Sequence, residues 1–480
     1  MTIATIAPPE VPAARPRVLV AAHDADHARR WADLAHRQGY DSILADPLEA
    51  ERQARLLSPD CALMEAPCDG GVLSRLALGT SEHGPLPVTL LEPALMGPGW
   101  NTPLQDITDP VRSLPNPFDA EQGSPAALDA MERHIARRLD AMMRLHAMVD
   151  EWTRRHAVLT ALGHTPAQSS HARDLIDGAD RTVLVAGEPG PDYARIEALC
   201  ADRTATVVGA FTPAMTVDYL ARHAFDVLIL TASSDLEAYL PVVSAVRRNP
   251  RLIATPILVT ADPGAHPEVA GALRTGVTDI LLRSLSDDDF AARIRTFLTE
   301  STMRRVLKGV LDAGPPAALR DEETGLAGAA FCEAQLERMT AETHATRRAW
   351  SLVLFDLGQA QCEDGSLVPT ESRVFFEAAS VIAAMARAQD FKARPGEREL
   401  LILMPQTPRA QAHDVARRLG GALASARFGG EGEDGGVVVM ARHTVLSPRL
   451  GTTVGSMLIE ARQRLRAGLQ PALKTVAALP

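Results

Sequence analysis

Few residues in this chain stand at spacings that could support chemistry on their own. The run Gly429-Gly430-Glu431-Gly432-Glu433-Asp434-Gly435-Gly436 contains a formal GxGxxG. It follows a helical segment and leads into a strand, the reverse of the order that aims a helix N-terminus at a pyrophosphate, so a hairpin loop is expected there. Fourteen histidines are scattered with no HExxH spacing, and His164 and His171 fall in a polar linker where solvated surface is the expectation. Five cysteines, Cys61, Cys68, Cys200, Cys332 and Cys362, form no CxxC pair and are odd in number. Neither a zinc knuckle nor a disulfide framework follows from them, buried thiols are expected, and no metal site is predicted. An arginine followed three residues later by an aspartate occurs at Arg387 and Asp390, and recurs at Arg137 and Asp140. The pattern alone is weak: the second copy lies on a long helical stretch where a solvated face is expected. Specificity for Arg387 and Asp390 has to come from their surroundings.

Length and composition bound what can position such residues. A chain of 480 residues is long enough for about three domains. Its 49 basic and 60 acidic residues give a net charge of −11, which argues against bulk nucleic-acid binding. At 46% hydrophobic and 23% charged it can bury ordinary cores. The longest apolar runs are strand-length, far short of the roughly 18 residues of a membrane span, so no membrane insertion is expected. The opening MTIATIAPPEVPAARP lacks the charged and long apolar regions of a signal peptide. It predicts a disordered leader over 1–15 and a cytoplasmic protein.

Two stretches repeat one pattern of short apolar strands alternating with helices, the signature of a doubly wound α/β domain. The first has strands at Val18-Leu19-Val20, Ala62-Leu63-Met64 and Val88-Thr89-Leu90-Leu91. The second has them at Val183-Leu184-Val185, Val227-Leu228-Ile229-Leu230, Ile257-Leu258-Val259 and Asp279-Ile280-Leu281-Leu282. Between them, Ser124 and Pro125 provide an N-cap and first-turn proline for a helix to about Leu162. Its apolar positions, Leu128, Met131, Ile135, Leu139, Met142, Leu145, Val149 and Trp152, keep a three-four spacing. That helix either packs on its own sheet or extends into a dimer seam. A second amphipathic stretch from Phe290 to Leu311 ends at Gly314-Pro315-Pro316 and joins a third domain. There strands are expected at Leu352 to Phe355, Leu400 to Leu403 and Val437 to Val439. The predicted organisation is a domain at 16–123, the helix at 124–162, a domain at 178–300, a linker at 301–317 and a third domain at 318–480.

The first copy resembles a response-regulator receiver domain, with Arg17 to Asp24 at the first strand, Pro59 to Met64 leading to the phosphoacceptor position, and Asn116-Pro117-Phe118 at the Lys-Pro-Phe turn. Receiver chemistry needs clustered carboxylates for Mg²⁺, an Asp nucleophile, a Thr or Ser switch and a Lys. Here the acidic pair falls at Ala22-His23, the nucleophile at Glu65, the switch at Glu92 and the lysine at Asn116. In the second copy the acidic pair falls at Ala186-Gly187 and the nucleophile at Thr231, with Thr260 at the switch and Arg283 near the lysine position. Threonine cannot form an acyl phosphate. The resemblance implies two flavodoxin-like, CheY-like domains that keep the fold without phosphotransfer and serve partner recruitment and dimerisation.

The third domain resembles a GGDEF, nucleotidyl-cyclase-like α/β domain: Asp321-Glu322-Glu323-Thr324-Gly325-Leu326 is similar to its DxLTGL opening, and Arg387 to Leu400 to its RxxD-to-RYGGDEF segment. The order of receiver, receiver and GGDEF is that of PleD-type response regulators, and the degraded motif makes it most similar to PopA-type c-di-GMP effectors. Cyclase chemistry needs two acidic metal ligands and a thin glycine turn at the nucleotide phosphates. Against RYGGDEF the chain offers Arg394-Pro395-Gly396-Glu397-Arg398-Glu399-Leu400, with Glu397 for the second glycine and Arg398 for a metal ligand. Asp356 keeps one acid, Gly358 replaces the second aspartate of the IDxD run, Leu357 to Phe376 contains no Asn to read guanine, and the late lysine of the YxAK signature is replaced near Leu469. No enzyme activity and no metal are therefore expected.

The family's inhibitory site has its RxxD aspartate six positions before the first motif glycine, the spacing from Asp390 to Gly396. By resemblance, Arg387 forks onto guanine O6 and N7, Asp390 accepts from the guanine N1 and N2 hydrogens, and Arg418 pairs with a phosphate or stacks on a base. The resemblance implies a non-catalytic adaptor that binds c-di-GMP and gathers partners at a cell pole, aiding regulated proteolysis of a cell-cycle regulator. A ligand-independent scaffold and a residual diguanylate cyclase are the alternatives.

Overall fold

A computed structural model describes residues 15–467 except 66–71, 73–75, 77–87, 94–110, 117–124, 165–175, 177, 202–204, 232–235, 263–265, 347, 362–366, 430–435 and 449–452. Within this range the chain forms two compact units, one of residues 17–146 and 171–306, the other of 147–170 and 307–480.

The first unit holds two five-stranded parallel sheets. One is built from β1 (Arg17–Ala21), β2 (Asp41–Ala45), β3 (Cys61–Glu65), β4 (Val88–Pro93) and β5 (Val111–Asn116), in the order β2-β1-β3-β4-β5. Helices α1 (Ala25–Arg37) and α2 (Ala50–Leu57) accompany it. β3 is buried along its whole length, as a parallel strand covered on both faces must be. Asp24 caps α1, its Oδ1 accepting the N–H groups of Asp26 (2.6 Å) and His27 (3.1 Å). The long helix α3 (Pro125–Ala161) closes one face of the sheet: Ile135, Leu139, Met142 and Met143 pack against Val18, Val20, Trp31 and Leu63. Its apolar stripe thus packs on its own sheet, one of the two expected uses. The side chains of Leu128 and Met131 lie outside the described residues.

The second sheet comprises β6 (Arg181–Ala186), β7 (Ala205–Ala210), β8 (Val227–Leu230), β9 (Ile257–Ala261) and β10 (Asp279–Leu282), ordered β10-β9-β8-β6-β7. This is the same winding as the first sheet, the flavodoxin-like order. Its helices are α4 (Pro191–Ala201), α5 (Pro213–Arg222), α6 (Leu236–Arg248), α7 (His266–Thr275) and α8 (Asp287–Asp312). Phe290, Ile294, Phe297 and Leu298 of α8 cover Val183, Val185 and Ile229. Both copies share a tie at the N-terminal end of the sheet. Asp60 accepts the Arg17 N–H (2.7 Å) and returns its own N–H to the Arg17 carbonyl (2.8 Å); Asp226 does the same with Thr182 (3.0 and 2.9 Å).

In these two sheets, three strands were not read from the sequence. β2 and β7 are edge strands, only partly buried, and β5 carries Pro115, which an edge position tolerates. The expected solvated face at Arg137 to Asp140 is also corrected. Arg138 is 3% exposed, lies 4.6 Å over the Phe297 ring and reaches Glu300 at 3.4 Å, while Asp140 accepts the Tyr40 hydroxyl at 2.5 Å. α8 runs unbroken to Asp312, through the 300/301 boundary drawn from sequence.

In the second unit, a four-stranded antiparallel sheet is ordered β14-β15-β11-β16, from β11 (Trp350–Gly358), β14 (Phe391–Gly396), β15 (Glu399–Pro405) and β16 (Met440–Leu446). β12 (Ala360–Gln361) and β13 (Leu367–Val368) form a small hairpin beside it. α9 (Ala329–Thr346) and α12 (Val454–Ala467) cover one face around Phe331, Leu354 and Leu401; α10 (Ser372–Met385) and α11 (Arg409–Ser425) cover the other around Phe355, Ile402 and Leu419. The last strand begins at Met440, three residues after the expected Val437, which makes only an isolated bridge to Phe428. That bridge closes the ends of the glycine-rich loop, whose interior lies outside the described residues. The C-terminal part of α3 belongs to this unit, with Val158 in its core.

Candidate functional site

The two segments resembling motif ends meet at Arg394. Its Nη1 lies 3.2 Å from Asp321 Oδ1 and also contacts Glu323, and its guanidinium sits 4.3 Å over Phe375. Asp321 Oδ1 in turn accepts the Thr324 N–H (2.8 Å) and hydroxyl (2.6 Å). The chain then turns tightly, with Gly396 opposite Glu399 between β14 and β15. A Cβ at Gly396 would stand 2.7 Å from Glu399 Oε2, so the retained motif glycine leaves room for that carboxylate.

The acids that remain are both neutralised by the chain itself. Asp356, opposite Glu399 on β11, has Arg398 Nε 3.4 Å from its Oδ1. Burial pushes its carboxyl above the usual range against the pull of Arg398 and Arg442. Glu399 is held bidentately by Arg462 of α12, at 2.7 Å to each oxygen. As arranged, these donors do not fit a divalent cation: one position presents a guanidinium, and the acids are committed to arginines. At Gly358 a Cβ would meet Leu367 Cβ at 2.5 Å and the Val368 carbonyl oxygen at 2.6 Å, so an aspartate there has no room. Glu397 lines an open cleft with Asp321, Glu322, Arg394 and Gly396. Among the described residues no group of three or more His, Cys, Asp or Glu could hold a metal.

Two residues of this region escaped the sequence reading. Arg462, on α12, was not singled out because its partner Glu399 lies 63 positions away in sequence, while Leu469, where the YxAK lysine was expected to be replaced, lies outside the described residues. Arg442, opposite Asp356 on β16, buries its Nε and Nη2 without hydrogen-bond partners. Only the fold reveals that register.

Arg387 follows α10, and Asp390 stands just before β14. Their link is the Arg387 N–H donated to Asp390 Oδ2 at 2.9 Å. Asp390 is 1% exposed, its Oδ1 has no hydrogen-bond partner, and burial pushes its pKa up to about 6 despite that N–H. The Arg387 side chain is exposed, as is Arg418 on the adjoining helix α11. The structure therefore brings Arg387 and Asp390 together but keeps the carboxylate inside.

At the receiver positions, Glu65 ends β3, 6% exposed, and accepts the His23 N–H (3.1 Å) while pairing with His27 Nδ1 (2.6 Å). The side chains of Glu92 and Asn116 lie outside the described residues. Thr231 is buried after β8 and donates its N–H to the Ala186 carbonyl. In the same copy, the Asp192 carboxylate, unnoticed in the sequence, accepts from Thr260 Oγ1 (2.7 Å) and Arg283 Nε (2.9 Å). Arg283 also donates to Asp262 (2.8 Å). An internal carboxylate thus joins the switch and lysine positions. Cys61, Cys200 and Cys332 are buried.

Residues 318–470 match the GGDEF domain family, described as diguanylate cyclase. The chain is 24% identical over 283 residues to the response regulator PleD of Caulobacter vibrioides (strain NA1000 / CB15N), covering 59% of this chain and 61% of PleD. It thus spans less than two thirds of that relative's length. Among solved structures, the GGDEF domain of DgcB from Caulobacter crescentus in complex with c-di-GMP matches at 18% identity and TM-score 0.28, over 32% of this chain and 88% of that one. The chemotaxis response regulator CheY4 of Vibrio cholerae matches at 18% identity and TM-score 0.23, over 25% of this chain and all of that one (100%). No described helix is long and apolar enough to cross a membrane.

Proposed function

We propose that this chain, a response regulator of PleD type carrying a GGDEF domain, is a non-catalytic c-di-GMP effector. The dinucleotide docks on Arg387, Asp390 and Arg418. The single observation that carries the reading is the Arg387–Asp390 pair: an exposed arginine whose backbone N–H binds a buried carboxylate, the second oxygen of which has no hydrogen-bond partner. A guanine edge supplies what that oxygen lacks, because its N1 and N2 hydrogens are donors, while the arginine fork takes O6 and N7. The internal pairing of Asp356 and Glu399 with arginines supports the loss of cyclase chemistry. The receiver domains then serve dimerisation and partner recruitment, at a cell pole and toward proteolysis of a cell-cycle regulator, as the PopA resemblance implies.

Calorimetric titration of c-di-GMP into the full chain, beside Arg387→Ala and with GTP as control, tests this. Saturable binding lost in the variant, with no product formed from GTP and Mg²⁺, is the expected result. Absence of binding by the folded wild type leaves a ligand-independent scaffold, and turnover of GTP restores the cyclase alternative.

A further inference from the structure

Arg155, on α3, touches the proposed dinucleotide site from behind. Its Nη2 donates to the Asp390 carbonyl at 3.3 Å, its Nη1 to the Leu311 carbonyl at 2.9 Å, and its Nε to Glu151 Oε1 at 2.7 Å. The guanidinium rests 5.3 Å over the ring of Phe391, the residue after Asp390. Glu151 is fully buried and also binds Arg154 and, at 3.0 Å, Gln335 Nε2. Arg155 is therefore held by a fixed anchor and grips two backbone carbonyls, one in the 387–391 loop and one at the end of α8. Lys392, the second residue of β14, adds a further tie to Asp312, at 3.4 Å. All these groups belong to one compact unit.

A ligand that hydrogen-bonds to the Asp390 carboxylate has to reach a side chain that is 1% exposed. Exposing it requires the 387–391 loop to turn, and that loop is what Arg155 holds. We infer that Arg155 is a clip that keeps the Asp390 carboxylate buried, and that c-di-GMP docking releases it, loosening α3 and the end of α8. The inference rests on the effector reading above. Its direction follows from population shift: apparent affinity is the intrinsic affinity reduced by the fraction of open chain, so removing the clip tightens binding. By linkage the ligand weakens the clip to the same degree.

The test uses the full chain with Arg155→Ala and the milder Arg155→Gln, each shown folded by its melting transition. Hydrogen exchange of segment 386–392 without ligand is expected to speed up in both variants. Calorimetry is expected to give c-di-GMP binding about three- to tenfold tighter. Exchange in 152–160 and 307–312 should rise with ligand in the wild type and not in the variants. If the wild type binds c-di-GMP and the variants neither loosen 386–392 nor change affinity, the clip is wrong. If the wild type and variants bind no c-di-GMP while 386–392 still loosens, the effector reading falls and Arg155 remains a structural latch without a ligand.

Discussion

Arg398 lies against Asp356, its Nε 3.4 Å from Oδ1, so the chain itself supplies a cation to this carboxylate. The two charges are roughly a third and a sixth exposed, which makes the pair worth about 1 kcal/mol at most. Its consequence is chemical more than energetic, because a guanidinium repels a divalent cation at short range.

The melting temperature of the wild type is therefore expected to be unchanged by millimolar Mg²⁺. Arg398→Asp places two carboxylates together and is expected to make melting Mg²⁺-dependent. Differential scanning fluorimetry with Mg²⁺ and with EDTA reads the difference; a wild type stabilised by Mg²⁺ would contradict the pairing.

Gly358→Asp, the change that rebuilds the lost second acid, is expected to destabilise the chain. The Cβ has to displace Leu367 or the Val368 backbone, an overpacking that costs about 1–3 kcal/mol. Gly358→Ala should carry most of that loss, since the clash begins at the first carbon. Denaturant melts check it, and a neutral Gly358→Ala would disprove the close approach.

Asp390→Asn should trade binding for stability. The folded carboxyl titrates at about 6 in place of 3.8. Between those values the folded chain keeps a proton that the unfolded chain has lost, so stability falls as pH rises through the window. Asparagine carries no such penalty and still accepts the Arg387 N–H. Its advantage is expected to approach about 3 kcal/mol above pH 7 and to vanish near pH 3. Melts from pH 4 to 8 measure it, and dinucleotide binding should weaken at least about tenfold.

Arg138→Ala removes one of the arginines from the Glu300 carboxylate, which is 1% exposed and also pairs with Arg304. A loss of about 3–5 kcal/mol is expected. Arg138→Met together with Glu300→Leu should recover most of it, because an apolar pair of similar volume avoids the desolvation cost. Urea titration of the three proteins decides whether the buried pair is a requirement or a replaceable filling.

The central strands and long helices were legible because their residues are buried on both faces or on a regular stripe. Val18 to Val20 and Val227 to Leu230 announce themselves; β2, with Leu44 half exposed at the edge, does not. Site legibility split in the same way. Arg387, Asp390 and Arg398 were found because a local motif fixes their spacing. Arg462, Arg442 and Asp192 were missed because each acts on a residue far away in sequence, 63 positions in the case of Arg462 and Glu399. Burial of Asp390 was equally hidden, since its cover includes the Arg155 helix, 235 positions away.

The aspartate ties at Asp60 and Asp226 are the same device twice, whereas the opposite sheet ends carry different ones, Glu65 with His27 in one copy and Asp192 with Thr260 and Arg283 in the other. Each receiver is thus divided into a chassis and a rewritten rim. The chassis is common property, so the two rims are separable cargo: loops transplanted from one copy to the other would land on equivalent strand ends, and a chimera would inherit the donor's contacts without disturbing the recipient's winding.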